Sequence, residues 1–275
     1  MEDWDKDFER WKDEAFGGLV KTPRINCNNL ANVEVHTLTC SSHVKEYLFS
    51  IKSFLRFFSE VAVVVHDDGT LTEDDKDLIL NHVGGAKIIP SKHADDKMSS
   101  LLEKYPSCKQ YRSLRVVARQ LLDFNSLSCG EKVISLDSDT LFVNQPTELI
   151  DWICGSGEII KCSHETVPSD RNKLEVNLGL YAYQKEVASL QLLEDTLKDI
   201  SIFDWWYASR SPNCDIFSSF LDTHDASYEH FDKEKYQNPY SFKKGADFRH
   251  YFSSDQLFGY ESIFYEDTYE VLGSL

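Results

Sequence analysis

The chain has 275 residues, 41% hydrophobic and 13% aromatic, with a formal charge of −17. That length and apolar content suit one large soluble domain or two small ones, and no run approaches the ~18 apolar residues of a membrane span. The acidity argues against nucleic acid or an anionic membrane surface as a partner, because both would be repelled.

The start, Met1-Glu-Asp-Trp-Asp-Lys-Asp7, is too charged for a signal peptide, so a cytoplasmic protein is expected. Cys27, Cys40, Cys108, Cys129, Cys154, Cys162 and Cys214 form no C-x-x-C pair and read as reduced, mostly buried thiols. Residues 1–30 are acidic and carry Trp4, Phe8 and Trp11 at helical spacing, which predicts a short amphipathic helix and linker docked on a main domain, 31–275.

Val33-Glu-Val-His-Thr-Leu-Thr39 alternates and predicts a first strand. Ser41 or Ser42 is placed to cap a helix over 43–58. Val61-Ala-Val-Val-Val65 lacks alternation and predicts a strand buried on both faces. Thr72-Glu-Asp-Asp75 has the form of a capping box for a helix that ends at Gly84-Gly85, before a third short strand, 86–89. The order β-α-β-α-β implies an α/β fold with a mostly parallel central sheet flanked by helices.

His66-Asp67-Asp68-Gly-Thr-Leu71 resembles the nucleophile loop of haloacid-dehalogenase-type phosphatases. Aligning Asp68-Gly-Thr-Leu puts His66 where those enzymes need a carboxylate, so the phosphatase reading fails. Residues 91–108 read as irregular or weakly helical. Lys109, Arg112, Arg115 and Arg119 fall at spacings of three, three and four, which on a single helix would share one face.

Val133-Ile-Ser-Leu-Asp137-Ser138-Asp139-Thr-Leu-Phe-Val143 is an apolar strand that ends on two carboxylates and then resumes. Residues i and i+2 of a strand share a face, so Asp137 and Asp139 point the same way and repel each other. A divalent cation makes such a pair tolerable; an Asp-rich turn with a capping Asp is the plainer alternative. In open α/β sheets, ligands bind at these carboxyl ends of strands. The motif and its apolar lead-in resemble glycosyltransferases of the GT-A fold, in particular the glycogenin and lipopolysaccharide galactosyltransferase group (family 8), whose D-x-D holds a metal against the diphosphate of a nucleotide-sugar.

The resemblance continues along the chain. It implies that Arg115 or Arg112, before the D-x-D strand, faces the donor. Residues 144–150 resemble the turn and short helix that follow the motif, with Thr147 able to cap that helix, and strand 157–162 comes next. Asn177-Leu-Gly179 matches the family's Asn-x-Gly near the donor sugar, where Asn177 would meet sugar hydroxyls and Gly179 would let backbone approach a ligand; a β-bulge with a structural Asn is the alternative. A helix over 185–198 reads as structural. Phe203, Trp205, Trp206 and Tyr207 could stack on an acceptor sugar or fill core.

Asp215 matches the second Asp of the family's D-Q-D helix start, while Asn213 and Cys214 replace its first Asp and Gln. An Asp in a first helical turn is also favoured by the helix dipole alone. His250-Tyr251 matches a C-terminal histidine that completes the metal site, and Lys243, Lys244 and Arg249 are nearby cations for phosphate.

The resemblance thus implies a metal-dependent glycosyltransferase, expected to retain anomeric configuration, with Mn²⁺ or Mg²⁺ on Asp137, Asp139 and His250; the imidazole favours Mn²⁺. Thr39, Cys40, His66, Asp67 and Asp68 would line the base and ribose pocket, with Ser138 beside the metal. Donor-side roles fall to Arg115, Asn177 and Asp215. Residues 31–143 would form the nucleotide-binding half and 144–275 the acceptor side; the acceptor, carbohydrate, lipid-linked or protein, is left open. Two alternatives remain: a non-catalytic sugar-nucleotide or carbohydrate binder with a degenerate site, and a sugar-nucleotide nucleotidyltransferase. The latter needs a Gly-rich basic loop, and Leu38-Thr-Cys-Ser-Ser42 has neither glycine nor a basic residue.

Overall fold

Seven strands in the order Tyr228–His230, Ile160–Thr166, Leu174–Gln184, Lys132–Leu136, Val33–Thr39, Ala62–Asp67 and Lys87–Ile89 form the central sheet of the computed structural model. The structure describes residues 10, 13–166, 174–199, 212–238, 243–251 and 261–275. The strands are β1 (Ile25–Asn26), β2 (Val33–Thr39), β3 (Ala62–Asp67), β4 (Val83–Gly84), β5 (Lys87–Ile89), β6 (Lys132–Leu136), β7 (Thr140–Phe142), β8 (Ile160–Thr166), β9 (Leu174–Gln184), β10 (Tyr228–His230), β11 (Tyr236–Gln237) and β12 (Phe248–His250). Within the large sheet β9 alone runs against its neighbours, β6 and β8. Small sheets β1-β4 and β11-β12-β7 complete the set.

The helices are α1 (Val44–Leu55), α2 (Glu73–His82), α3 (Ser91–Leu101), α4 (Pro106–Leu114), α5 (Ala118–Leu127), α6 (Thr147–Cys154), α7 (Leu190–Asp199), α8 (Pro212–Thr223) and α9 (Glu261–Ser274). They divide between the two faces of the sheet. Val33, Val35, Val63, Val65 and Ile134 pack with α1, α2 and α6 in one core. Val64, Val133, Tyr181 and Tyr183 pack with α3, α4, α5, α7 and α8 in another. This alternation places a helical layer on each side, as the β-α-β-α-β order requires. Among the described residues no helix is long and apolar enough to cross a membrane. Residues 13–19 are helical, with Ala15 and Leu19 buried; Trp4, Phe8 and Trp11, residues 168–172 and the aromatic residues of 203–207 lie outside the described residues.

Several sequence expectations need correction. Residues 91–101 are helical because Ala94, Met98 and Leu102 bury one narrow stripe at i, i+4, i+8. The stripe Lys109 to Arg119 is not one helix: the chain is extended at Arg115 (φ −148°, ψ 145°), where Val116-Val117 follow, two β-branched residues with low helix propensity. Neither Ser41 nor Ser42 caps α1, because a 3₁₀ turn over Ser41–His43 intervenes; Ser41 Oγ instead donates to Asp75 (2.7 Å). Thr147 is the first residue of α6 rather than its cap.

Strand β8 begins at Ile160, since Gly157 turns through φ +68°, and α7 starts at Leu190 after a turn over 185–188. The described cysteines are all free, but only Cys108 and Cys162 are buried; Cys129 and Cys154 are exposed, near helix ends. The capping box of α2 is present in both directions, Asp75 N–H to Thr72 Oγ1 (3.1 Å) and Thr72 N–H to Asp75 Oδ2 (2.9 Å).

The alternation of β2 does not put its polar residues in water. Glu34 and His36 are buried and bond each other (3.0 Å), and His36 Nδ1 meets His66 Nε2 of β3 at 2.9 Å against Phe124. Burial holds both imidazoles below the usual histidine range, so His36 is neutral, donates Nε2–H to the Glu34 carboxylate and accepts from His66 through Nδ1. Burial alone would raise the Glu34 pKa, but hydrogen bonds from His36, Ser128 and backbone outweigh it and bring the group to about 2.

A depressed carboxylate stabilises the fold above its unfolded pKa near 4.5, and the contribution is lost as pH falls toward about 2. Glu34→Gln is therefore expected to lose roughly 3 kcal/mol at pH 7. In urea titrations across pH 7 to 2.5 the deficit should shrink below pH 4.5.

Candidate metal and donor site

The segment Asp137-Ser138-Asp139 joins β6 to β7, and its backbone is satisfied by other parts of the chain. Asp137 N–H bonds Gly179 O (3.0 Å). The Asp137 carbonyl meets Thr140 Oγ1 (2.9 Å) and Ser50 Oγ of α1 (3.0 Å). Ser53 Oγ accepts from Phe142 N–H (2.9 Å), and Arg56 donates to the carbonyls of Phe142 and Val143. Two buried serines of α1 and Arg56 at its C-terminal end, at spacings of three, thus hold the β6–β7 connection.

Strand β12 lies antiparallel on β7 with His250 opposite Thr140, and Tyr251 N–H bonds Asp139 O (2.8 Å). This pairing brings in a side chain more than a hundred residues distant in sequence. Residues on either side of His250 turn the other way: Arg249 and Tyr251 both bond Asp267 of α9. The expectation that Arg249 serves a phosphate is corrected, because its guanidinium is buried in this ion pair and on Lys243 O (2.8 Å). Lys243 pairs with Glu234 (2.9 Å).

His250 Nε2 lies 3.2 Å from Asp139 Oδ1 and 3.6 Å from Asp137 Oδ2. The three residues offer ligand atoms all within 4.8 Å of one another. His250 is 3% exposed, whereas the Asp137 and Asp139 side chains are 27% and 38% exposed, so the cluster opens to solvent on the carboxylate side. Burial, and next the Asp139 charge, push the Asp137 carboxyl up to about 6.

The protonation of His250 follows from its neighbours. Gly179 N–H, an obligate donor, bonds Asn177 Oδ1 (2.8 Å), which fixes the Asn177 amide orientation. His250 Nδ1 is 3.0 Å from that same oxygen, so Nδ1 carries the proton. In the neutral ring Nε2 is then a lone pair facing two carboxylates. In that state three acceptors converge, and a cation between them, a metal ion or a proton on Nε2, resolves the repulsion. The donor set fits Mn²⁺ or Mg²⁺.

Gly179 has a further part in this geometry. A Cβ there would lie closer than 3.0 Å to three atoms of the His250 ring. The close approach that the glycine permits is thus made by a side chain of the same protein. Asn177 sits at a bulge, where β8 shifts register between Cys162 and Ser163, and Ser163 Oγ bridges the carbonyls of Asn177 and Leu180.

The other sequence candidates distribute as follows. Thr39, His66 and Asp67 are buried at strand ends, and Cys40 and Asp68 are half-buried beside them. Asp67 accepts from Gly69 N–H (2.7 Å), and Asp68 from Thr70 N–H (2.9 Å). Arg112 is committed to Asp123 through two 2.7 Å bonds and to Asp95 (2.9 Å). Arg119 is tied to Asp95 (3.1 Å), Ser91 and the Asp67 carbonyl. Arg115 is exposed at the α4–α5 junction, Asp215 is half-buried in the first turn of α8, and Ser138 is half-buried between the two carboxylates. Gln120, which sequence reasoning missed, donates Nε2–H to Asp137 Oδ1 (2.7 Å). In sequence it is one of two amides on α5, with Asn125, and nothing local ties it to the D-x-D.

No protein-family model and no curated protein matches the chain. Solved structures do. The galactosyltransferase LgtC, in complex with donor and acceptor sugar analogues, superposes with TM-score 0.60 at 13% identity over 88% of this chain and 96% of that one. Mouse xyloside xylosyltransferase 1 gives TM-score 0.54 at 11% identity, over 84% and 99%. Core-mannan synthase A of Aspergillus fumigatus, in a Mn/GDP form, gives 0.50 at 8% identity, over 77% of each chain. The fold is that of the GT-A glycosyltransferases, with the family-8 enzyme LgtC among the most similar structures.

Gly179→Ala tests the imidazole packing. The methyl group must displace the His250 ring, so Mn²⁺ affinity measured by calorimetry should fall about 10- to 100-fold.

Proposed function

We propose that this chain is a metal-dependent glycosyltransferase that transfers a sugar from a nucleotide-diphosphate sugar. The observation that carries the reading is the convergence of Asp137, Asp139 and His250 Nε2 at a strand end of a GT-A sheet. These three residues would hold Mn²⁺ or Mg²⁺, which when bound supplies positive charge against the donor diphosphate and the departing nucleotide.

The chain's own residues divide the remaining work. Asn177 holds the imidazole in the tautomer a ligand needs, a positioning role rather than the sugar contact expected from sequence. Arg115, exposed at the α4–α5 junction before the D-x-D strand, is the cation proposed to meet phosphate oxygens. Cys40 and Asp68 keep accessible edges for base and ribose, with Thr39, His66 and Asp67 beneath them supporting the loop. Asp215 is proposed on the donor-sugar side from its place in the first turn of α8. A retaining outcome and a cytoplasmic setting are part of the same reading.

A second reading has one observation behind it. The Asn213 amide is spent on Val117 O (2.7 Å) and Gln120 (3.1 Å), so the position that departs from the family pattern serves the fold; this suits a non-catalytic sugar-nucleotide binder.

Calorimetry with a panel of nucleoside diphosphates separates these possibilities. At least one should bind only with Mn²⁺, and Asp139→Asn should lose tenfold or more of that affinity. Slow hydrolysis of the matching nucleotide-sugar identifies the enzyme, and binding without turnover identifies the binder. Absence of metal-dependent binding across the panel would contradict both.

A further inference from the structure

We propose that Gln120 is a positioning residue of the cation site, and that Asn213 sets which way its amide points. The proposal rests on the metal-site reading above and deepens it.

The chain of bonds has a fixed polarity. It begins at the Val117 carbonyl, which can only accept. Asn213 Nδ2 donates to it at 2.7 Å, so the amide nitrogen of Asn213 faces that way. Tyr111 donates its hydroxyl to Asn213 Oδ1, which agrees with the same orientation. Asn213 Nδ2 also donates to Gln120 Oε1 (3.1 Å). The Gln120 oxygen is thereby assigned, and its Nε2 donates to Asp137 Oδ1 at 2.7 Å. The backbone of Gln120 is pinned as well: its N–H bonds Val117 O (3.0 Å), and its carbonyl accepts from Tyr181 Oη (3.1 Å). Tyr111 and Asn213 are buried, so the assignment is protected from exchange with water.

Two consequences follow for Asp137. Its Oδ1 accepts from the Gln120 amide, while Oδ2 faces His250 Nε2 at 3.6 Å, so Oδ2 is the oxygen turned toward the other two ligands. The carboxylate plane is also held in place before a cation arrives. If the Gln120 amide turned over, its carbonyl would face the carboxylate and repel it. Asn213 prevents this by presenting a donor to Oε1. The amide at 213 and the amide at 120 are therefore a matched pair: a carboxylate at 213 would place an acceptor against the Gln120 oxygen.

The test is Mn²⁺ uptake by the full chain without nucleotide, read from the loss of the free-ion signal in electron paramagnetic resonance. Near-UV circular dichroism in chelator confirms that each variant is folded. Gln120→Met should bind Mn²⁺ roughly tenfold more weakly than the wild type. Asn213→Leu should weaken binding by a smaller factor, and the double variant should be no weaker than Gln120→Met alone, because both act through one bond. If the leucine variant does not fold, Asn213→Ala takes its place in the cycle. Wild-type affinity in Gln120→Met, or a double variant showing the product of the two single losses, would overturn the relay while leaving the metal site standing. A wild type that takes up no Mn²⁺ would overturn the metal site and the relay together.

Discussion

The imidazole of His250 stands where a side chain at position 179 would be, and the rest of the candidate site depends on that close approach. The ring can occupy that space because β9 bulges at Asn177 to Leu180 and because β12 is laid antiparallel on β7. One motif, Asn177-Leu-Gly179, supplies both the vacancy and the acceptor that orients the ring. The placement is enforced from behind: Arg249 and Tyr251 are drawn to Asp267, and alternation along a strand then turns His250 toward the carboxylates. A buried ion pair of this kind is an uncertain source of net stability. Its geometric effect, the facing of one side chain, follows directly from its position.

The acidity of the chain makes this economy of cations consequential. Under the proposed function an anionic protein needs positive charge at one place for a diphosphate, yet several of its internal cations are used on its own architecture. Arg56 neutralises carbonyls at the end of β7, and Lys52 donates to Thr22 and to the Pro23 carbonyl (2.9 Å), its pKa lowered to about 8 by burial. Arg112 compensates the fully buried Asp123, and Arg249 compensates Asp267. A divalent ion on three protein ligands is then the efficient way to place positive charge at the strand ends.

Much of the fold was legible because it is written in local patterns. The strands Val33–Thr39 and Ala62–Asp67, the capping box at Thr72 and the parallel order follow from period, branching and spacing. The break at Arg115 was not, since Lys109 to Arg119 keeps helical spacing while two consecutive valines and the tertiary pull of Asp95 and Asp123 decide the backbone. In the site, the D-x-D could be found from sequence because it carries its own chemistry, and His250 because His250-Tyr251 resembles the family's C-terminal pattern. Gln120 could not, because its role is defined by what Val117, Asn213 and Tyr111 do to its amide. The glycine at 179 was recognised as a point of close approach, but what approaches it is fixed only by strand pairing.

Two Asp-rich segments at strand ends show how similar sequences diverge in chemistry. Asp67-Asp68 follows β3 and Asp137-Ser-Asp139 follows β6, both after apolar runs. At the first, the carboxylates fold back: Asp67 Oδ1 takes the N–H groups of Gly69 and Leu71, and Asp68 Oδ1 takes the N–H and hydroxyl of Thr70. Those oxygens shape the loop, as Asx turns do. At the second, the loop's polar backbone is met from elsewhere, by Gly179, Ser50, Thr140 and Tyr251. The carboxylates of Asp137 and Asp139 are released from that duty and turn toward His250. What separates a turn-forming Asp pair from a cation-binding one is therefore which groups satisfy the intervening backbone, and here helix α1 and strands β9 and β12 do so.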